Sequence, residues 1–322
     1  MRILLWHVHG SWTTAFVRGR HDYVVPVLPD RGPDGVGRAR TWDWPASVVE
    51  RTPTQLRDEP IDVVILQRPS ELELVRTWLG RHPGTELPAL YLEHNTPEER
   101  PCTQRHPLAD RADIPIVHVT RFNELCWDNG VARTQVIEHG IIDPGPRYTG
   151  EHAAGAVVVN EPLRRGRTVG ADLIPAFAVD GPIDIFGMQT KQFVHSLAND
   201  RVTAYEDLFS QDRMHAELSR RRVYLHPMRW TSLGLSLIEA MQLAMPVVVL
   251  AATDAVSAVP PDAGVLSTDL DVLRAGFRLF LNEPEVARAA GTHARAAAIA
   301  SYGLERFLRD WDQLLDGLIG KG

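Results

Sequence analysis

VYLHPMRWTSLGLSLIEAMQLAMPVVVLAATDA, residues 223–255, is the stretch on which the fold turns. Val223 to Leu225 form a short apolar run that stops at His226-Pro227. A loop with Ser232 and Gly234 follows, and a helical pattern opens near Leu235, with Glu239 one turn in. Met245-Pro246 then leads into a second apolar run, Val247 to Leu250. Such a strand–loop–helix–strand unit belongs in an open parallel sheet. Ligands of these sheets bind at the carboxyl ends of the strands. Loop N–H groups and the positive end of the helix favour phosphate there, and Gly234, with no Cβ, permits close backbone approach. The Glu239 carboxylate is placed to accept hydrogen bonds from two vicinal ribose hydroxyls. An ordinary βαβ unit with a solvated glutamate satisfies the same spacing.

Working outward, the same alternation fills most of the chain. Apolar runs at Ile3 to Trp6, Tyr23 to Leu28, Asp62 to Leu66, Ala89 to Leu92, Ile116 to Val119 and Gln135 to Ile137 are separated by crossover-length segments. After residue 150 the plan repeats with Ala156 to Val159, Ile183 to Phe186, Arg201 to Tyr205 and the two strands of the opening stretch. Helical patterns occupy Gln211 to Arg221 and Leu235 to Ala244. Residues 140–155, GIIDPGPRYTGEHAAG, are dense in Gly and Pro and lose periodicity, as a linker does. The last third reads as helices at Asp269 to Asn282, Glu283 to Ser301 and Leu304 to Leu318, with Asn282-Glu283-Pro284 as a start signal. The fold expected is α/β, with two parallel-sheet domains in tandem and C-terminal helices. The bounds expected are 1–145, 146–303 and a last helix in 304–322.

The 322 residues suit two domains of about 150 each. With 44% hydrophobic and 23% charged residues the composition is that of a globular protein. Met245 to Ala252, the longest apolar run, is far short of the roughly 20 residues a bilayer needs, so integral membrane association is not expected. The opening MRILLWHVHG lacks a small-residue cleavage site. Cys102 and Cys126 flank a predicted strand and make no disulfide framework, which favours the cytoplasm. A net charge of −7 argues against a nucleic-acid partner. His7 and His9 invite a metal reading, but alternate strand residues face opposite sides and no further ligand cluster is evident, so no metal is expected.

The quoted stretch resembles the signature of retaining GT-B glycosyltransferases of family 4. There a strand ends in His-Pro-Ser, an acidic residue precedes Gly-Phe-Gly-Leu, and a second glutamate follows before Ala-Met-Ala-x-Gly-x-Pro-Val-Val. His226-Pro227, Gly234-Leu235, Glu239-Ala240-Met241 and Pro246-Val247-Val248 match it. VIEHGIIDPG (136–145) resembles the Val-Ile-Pro-Asn-Gly-Ile-Asp that ends the family's first domain, and GADLIPAF (170–177) its Gly-x-Asp-x-Leu-Ile-x-Ala-Phe helix. The resemblance makes residues 1–145 the acceptor-side Rossmann-like domain and 146–303 the nucleotide-sugar donor domain, and implies a GT-B architecture with a cleft between them and a 304–322 helix packing back on the first domain. It implies that Glu239 holds the donor ribose, with Thr231, Ser232, Leu233, Gly234 and Leu235 lining the donor. Thr231 departs from the family, whose first acidic residue stands there, and a hydroxyl brings no charge to an oxocarbenium-like centre.

The family places an Arg and a Lys after the first strand of the donor domain. NEPLRRGRTVG (160–170) offers Arg164 and Arg165 as catalytic cations and Arg167 as a donor contact. Guanidinium groups grip phosphate bidentately, though a solvated basic loop has the same composition. Gly187 and Tyr205-Glu206 fall where the base-binding loops lie. On the acceptor side, Gly10 stands for a glycine-rich loop near the donor phosphates, with Ser11, Trp12 and Arg121 as acceptor contacts. His94, in EHNTP (93–97), resembles a histidine beside the reacting sugar carbon, and a cap region around Asn95-Thr96 is its plain alternative. Trp12, Trp42 and Trp44 also suit simple packing.

The resemblance thus implies transfer of a sugar, with retention, from a nucleotide-diphosphate sugar (a UDP- or GDP-sugar first) to a small soluble acceptor. No cofactor or metal is required, and a homodimer is compatible with it. Two rivals stay open: a non-catalytic nucleotide-sugar-binding protein or partner subunit, and a GT-B nucleotide-sugar epimerase. A nicotinamide dehydrogenase is disfavoured because no Gly-x-Gly-x-x-Gly follows either opening strand.

Overall fold

The computed structural model describes residues 1–206 and 210–320. The chain divides into two compact units, residues 1–141 with 304–322, and residues 142–303. Unit 1 runs β1 (Arg2–Leu5), α1 (Gly10–Phe16), β2 (Asp22–Pro26), β3 (Val48–Arg51), α2 (Pro53–Leu56), β4 (Val63–Leu66), α3 (Glu71–Leu79), β5 (Ala89–Glu93), β6 (Ile116–His118), α4 (Arg121–Cys126) and β7 (Thr134–Val136). Unit 2 follows with β8 (His152–Val158), α5 (Pro162–Arg165), α6 (Ile174–Ala178), β9 (Ile183–Phe186), α7 (Thr190–Leu197), β10 (Val202–Tyr205), α8 (Gln211–Leu218), β11 (Arg221–His226), α9 (Leu235–Gln242), β12 (Val247–Leu250), α10 (Ala255–Ala258), β13 (Gly264–Ser267), α11 (Leu270–Asn282) and α12 (Pro284–Tyr302). The chain then returns to unit 1 as α13 (Leu304–Ile319).

Among the described residues, unit 1 holds a seven-stranded sheet in the order β3-β2-β1-β4-β5-β6-β7, and unit 2 a six-stranded sheet in the order β10-β9-β8-β11-β12-β13. Every strand pairing is parallel. Central strands such as VVIL of β4 and ALYLE of β5 are buried along their whole length, because helices cover both faces. Two of the four edge strands, β3 and β13, are only half-buried beyond their first residue or throughout, and neither VVER nor GVLS carries a continuous apolar run. Neither was expected from sequence for that reason. The last residues of the expected linker, 152–155, instead extend β8, and GADLIPAF makes 3-10 turns before α6.

In unit 1 one face of the sheet is closed by α1 and α13. Trp12, Phe16, Phe307, Trp311 and Leu315 pack with Ile3, Leu5, Val25 and Ile65 into one core. A hydrophilic edge fixes α13: Arg20 pairs with Asp312 and Asp316, His21 Nε2 lies 2.9 Å from Asp312, and Arg306 donates to the carbonyls of Glu138 and His139. In unit 2, Phe177, Phe277 and Phe280 fill the space between the sheet and helices α6 and α11. Asp180 anchors α11 through Arg274 and Arg278, and both arginines hold its carboxyl below the usual range against the opposing effect of burial.

Candidate functional site

Three central strands of unit 2 end side by side, β9 at Phe186, β8 at Val158 and β11 at His226. The loops beyond these carboxyl ends carry the candidate donor residues. After β11 the backbone N–H groups of Arg229 and Trp230 both donate to Thr168 O, at 2.9 and 3.2 Å. Those two bonds fasten the loop leading to Thr231, Ser232 and Leu233 onto the arginine turn. Gly170 makes the junction feasible: its φ is +70°, and a Cβ there would stand 2.0 Å from Pro227 O. Gly187 is forced likewise, with φ +135° and Val159 O in the place of any Cβ. Asn160 Oδ1 accepts from Met188 N, and Glu161 N donates back to Met188 O, tying the Gly187 loop to the start of the arginine segment.

The arginines are already engaged. Arg164 pairs with Glu161 and keeps that carboxyl below its ordinary range. Arg167 reaches Asp172 Oδ2 at 2.8 Å. A further cation, Arg229, shares the same carboxylate and donates to Arg167 O, and its hydrogen bond is the first cause of the lowered Asp172 pKa. Arg229 was overlooked in the sequence although it is the one charged side chain between strand β11 and helix α9. Arg164 and Arg167 are exposed, so these pairs are screened and readily exchanged for a stronger anion. Glu161 thus holds Arg164, and Asp172 holds Arg167 and Arg229 together, with Arg165 between the two pairs in sequence.

Gly234 serves a purpose its sequence position did not reveal. The group that approaches its Cα is the His226 imidazole, whose Cε1 would lie 2.5 Å from a Cβ. His226 is buried, its Nδ1 has no hydrogen-bond partner among the described residues, and burial lowers its pKa to about 3. It is a neutral ring that sets the height of the loop entering α9. Leu235 opens that helix, and Glu239 follows one turn in with its side chain only 7% exposed. His215 Nε2, from α8, lies 3.4 Å from Glu239 Oε2 and is itself 3.1 Å from Gln211 Nε2. No spacing rule ties residue 215 to 239, so this partner was not legible. Beneath them Tyr224 OH donates to Ser236 Oγ at 2.9 Å, and burial raises the phenol pKa. Glu206 accepts from the backbone N–H groups of Gln189 and Lys191 and so caps α7; Tyr205 stacks on Phe186 at 4.9 Å, with Arg221 over both rings.

In unit 1 the candidate residues gather around three histidines. His94 follows β5, and its ring centroid is 3.8 Å from that of His9 and 6.2 Å from that of His139. Burial lowers all three, His9 to about 4 and His139 to about 3, so the cluster is neutral at pH 7. Gln67 fixes the His94 tautomer. Its Nε2 donates to Trp6 O at 2.7 Å, which turns its Oε1 to His94 Nε2 at 3.2 Å. His94 Nε2 therefore carries the proton and Nδ1 the lone pair. Neutral His94 offers a polar contact rather than an acid. Among the described residues no group of three or more His, Cys, Asp or Glu is arranged to hold a metal ion.

The remaining acceptor-side residues scatter. Trp12 is 1% exposed, its ring enclosed by Phe16, Phe307, Trp311 and His94, which makes it a core residue and not a platform for a sugar. Gly10 begins α1 under the Trp42 ring, which a Cβ would meet at 2.3 Å, and half-buried Ser11 follows it. Arg121 is exposed at the first position of α4, after Thr120, whose Oγ1 accepts from Asn123 N. No helix among the described residues is long and apolar enough to cross a membrane.

No protein-family model and no curated protein matches this sequence. Solved structures do. Sucrose-phosphate synthase from Thermosynechococcus elongatus is similar at a TM-score of 0.73 and 14% identity, covering all of both chains. Anabaena HepE in complex with UDP aligns at 0.69 and 12% over 98% of this chain and 100% of HepE. A mutant of S. aureus TarM, in complex with fondaparinux, α-GlcNAc-glycerol and UDP, aligns at 0.63 and 16% over 79% of this chain. The fold is of the GT-B class. The chain spans 55% of TarM's length, and at these identities the likeness concerns architecture alone.

Proposed function

We propose that this GT-B chain is a retaining, family-4-like glycosyltransferase that moves a sugar from a UDP- or GDP-sugar to a small soluble acceptor in the cytoplasm. The observation that carries the reading is Glu239. It is a buried carboxylate one turn into the helix that follows the 231–235 loop, and that loop is hydrogen-bonded to an arginine cluster at the carboxyl ends of a parallel sheet. The complexes of HepE and TarM with UDP support a nucleotide donor. In this reading Glu239 accepts from the ribose hydroxyls. Arg164, Arg167 and Arg229 exchange their carboxylate partners for the diphosphate, and with Arg165 they supply the cationic charge without a metal. The bond from the anomeric carbon to the diphosphate oxygen breaks, and the acceptor hydroxyl attacks from the same face. Its proton leaves with the diphosphate. Thr231, Ser232 and Leu233 line the sugar, and His94 contributes a neutral polar contact on the acceptor side.

Thr231 favours a second reading, a protein that binds a nucleotide sugar without turning it over, because no charge stands at that position. One pair of measurements separates them. Thermal shift with UDP, GDP, ADP and TDP and their sugars should single out one nucleotide, since a ligand of the folded state stabilises it by mass action. Release of that nucleotide from its sugar by the purified chain, dependent on an added acceptor, establishes transfer. Binding with no turnover across an acceptor panel leaves the second reading, and no shift with any nucleotide rejects both.

A further inference from the structure

The chain's two cysteines lie 24 positions apart, on opposite sides of β6, yet their Sγ atoms are 3.7 Å apart. We propose that Cys102 and Cys126 are a thiol-modification site, a dithiol that closes to a reversible intramolecular disulfide. The inference is independent of the glycosyl-transfer reading. At 3.7 Å the sulfurs are in van der Waals contact, and a bond of about 2.05 Å asks one of them to move by less than two ångströms. Cys102 can supply that movement. It stands in an exposed turn after residue 100, at φ +63°, where a residue other than glycine holds a sparsely populated backbone. Cys126 is buried at the end of α4, so one partner is fixed and the other adjustable.

Access sets the order of the steps. The exposed Cys102 thiolate attacks a low-molecular-weight disulfide, forming a mixed disulfide and expelling one thiolate. The Cys126 thiolate then attacks Cys102 Sγ and expels the second. Two cysteine thiols and one disulfide reagent become one protein disulfide and two reagent thiols, which take up the two protons. Burial, together with the neighbouring Cys102 thiol, pushes Cys126 up to about 11, so ring closure is the slower step and speeds up as pH rises.

The closed bridge reinforces contacts already present. Trp127 Nε1 donates to Asn95 O at 2.8 Å and Asn123 Nδ2 to His94 O at 3.2 Å, so α4 and the residue after it already grip the turn that follows β5. A covalent link between residue 102 and the end of α4 would tie down the segment between that turn and residue 105, where exposed Arg105, followed by His106, is open to trypsin. Incubation of the full chain with oxidised glutathione is expected to remove both titratable thiols with a mass loss of two hydrogens. The protein should stay monomeric on a non-reducing gel, and dithiothreitol should restore both thiols. Cys126→Ser should stop at a stable glutathione adduct on Cys102, and Cys102→Ser should keep its one thiol unreacted. A wild-type chain that stops at the adduct, keeps both thiols, or forms intermolecular dimers would overturn the proposal. Slower tryptic cleavage after Arg105 in the oxidised chain, absent from both serine variants, would tie the bridge to this segment; equal cleavage would rule out that restraint.

Discussion

Replacing Glu239 by glutamine changes charge while keeping shape, and the buried position makes the outcome calculable. Hydrogen bonds to a charged acceptor contribute about 1.5–3 kcal/mol and neutral ones about 0.5–1.5, so two ribose bonds weakened together amount to roughly 2–3 kcal/mol. Nucleotide affinity should therefore fall roughly 30- to 150-fold in Glu239→Gln. Glu239→Ala removes both bonds and should lose about 3–6 kcal/mol. The fold should survive the glutamine change, because the side chain keeps its volume and His215, 3.4 Å away, can hydrogen-bond an amide as well as a carboxylate. Titration calorimetry with UDP and 2′-deoxy-UDP, or the corresponding pair for the nucleotide giving the largest thermal shift, reads the effect. The wild type should prefer the ribonucleotide, and the preference should shrink in Glu239→Gln. A folded Glu239→Gln protein with wild-type affinity, or with the preference intact, would refute the assignment of the ribose to this carboxylate.

Three more outcomes concern stability. Gly234→Ala should destabilise unit 2 by about 1–3 kcal/mol through overpacking against buried His226, and adding His226→Ala should recover part of that in a denaturant midpoint. Gln242 is fully buried and neither side-chain polar atom finds a partner among the described residues, so Gln242→Met should raise the urea midpoint by an amount equivalent to about 1–3 kcal/mol; a lower midpoint would contradict the assigned environment. His139 and His226, ordinarily at 6.5, are held near 3 by burial. The unfolded chain takes up their protons below 6.5 while the folded chain does not, so stability is fully present above that pH and is lost as pH falls toward 3. The loss approaches 1.4 kcal/mol (about one pKa unit's worth) per group per pH unit. Urea midpoints measured from pH 7.5 to 5 should fall, and His226→Asn should flatten the slope; a flat wild-type profile would count against buried neutral rings.

The alternation of doubly buried strands and crossover segments made the two sheets legible, because a strand covered on both faces must be apolar at every position. Ile183–Phe186 and Val247–Leu250 are bounded as their composition suggests. The edge strands β3 and β13 escaped because an open edge relaxes that demand and VVER and GVLS offer only two or three apolar residues, whereas the edges β7 and β10 lie in runs that read as strands. At the candidate site, residues close in sequence were legible: Glu239 follows Gly234 by a fixed helical offset. Contacts that depend on tertiary packing were not. His215 beside Glu239, His139 near His94, and the Trp42 ring over Gly10 join distant segments, and a single residue type carries no address for its partner. Trp12 stayed open between a ligand contact and packing, because an aromatic side chain looks alike from sequence whether it stacks on a ligand or on Phe16.

The return of the chain to unit 1 has a consequence for biosynthesis. Phe307, Trp311 and Leu315 belong to the core that Trp12 and Phe16 begin, yet all of unit 2 is translated between them. The second unit is continuous and can fold as soon as it leaves the ribosome. The first must wait, its apolar strands made but one sheet face uncovered, until helix α13 appears. Folding here runs against the usual order in which the earlier domain completes first. The interval in which that face stands open is set by the time needed to synthesise its neighbour. During it, the exposed strands are the part of the molecule with most need of a chaperone.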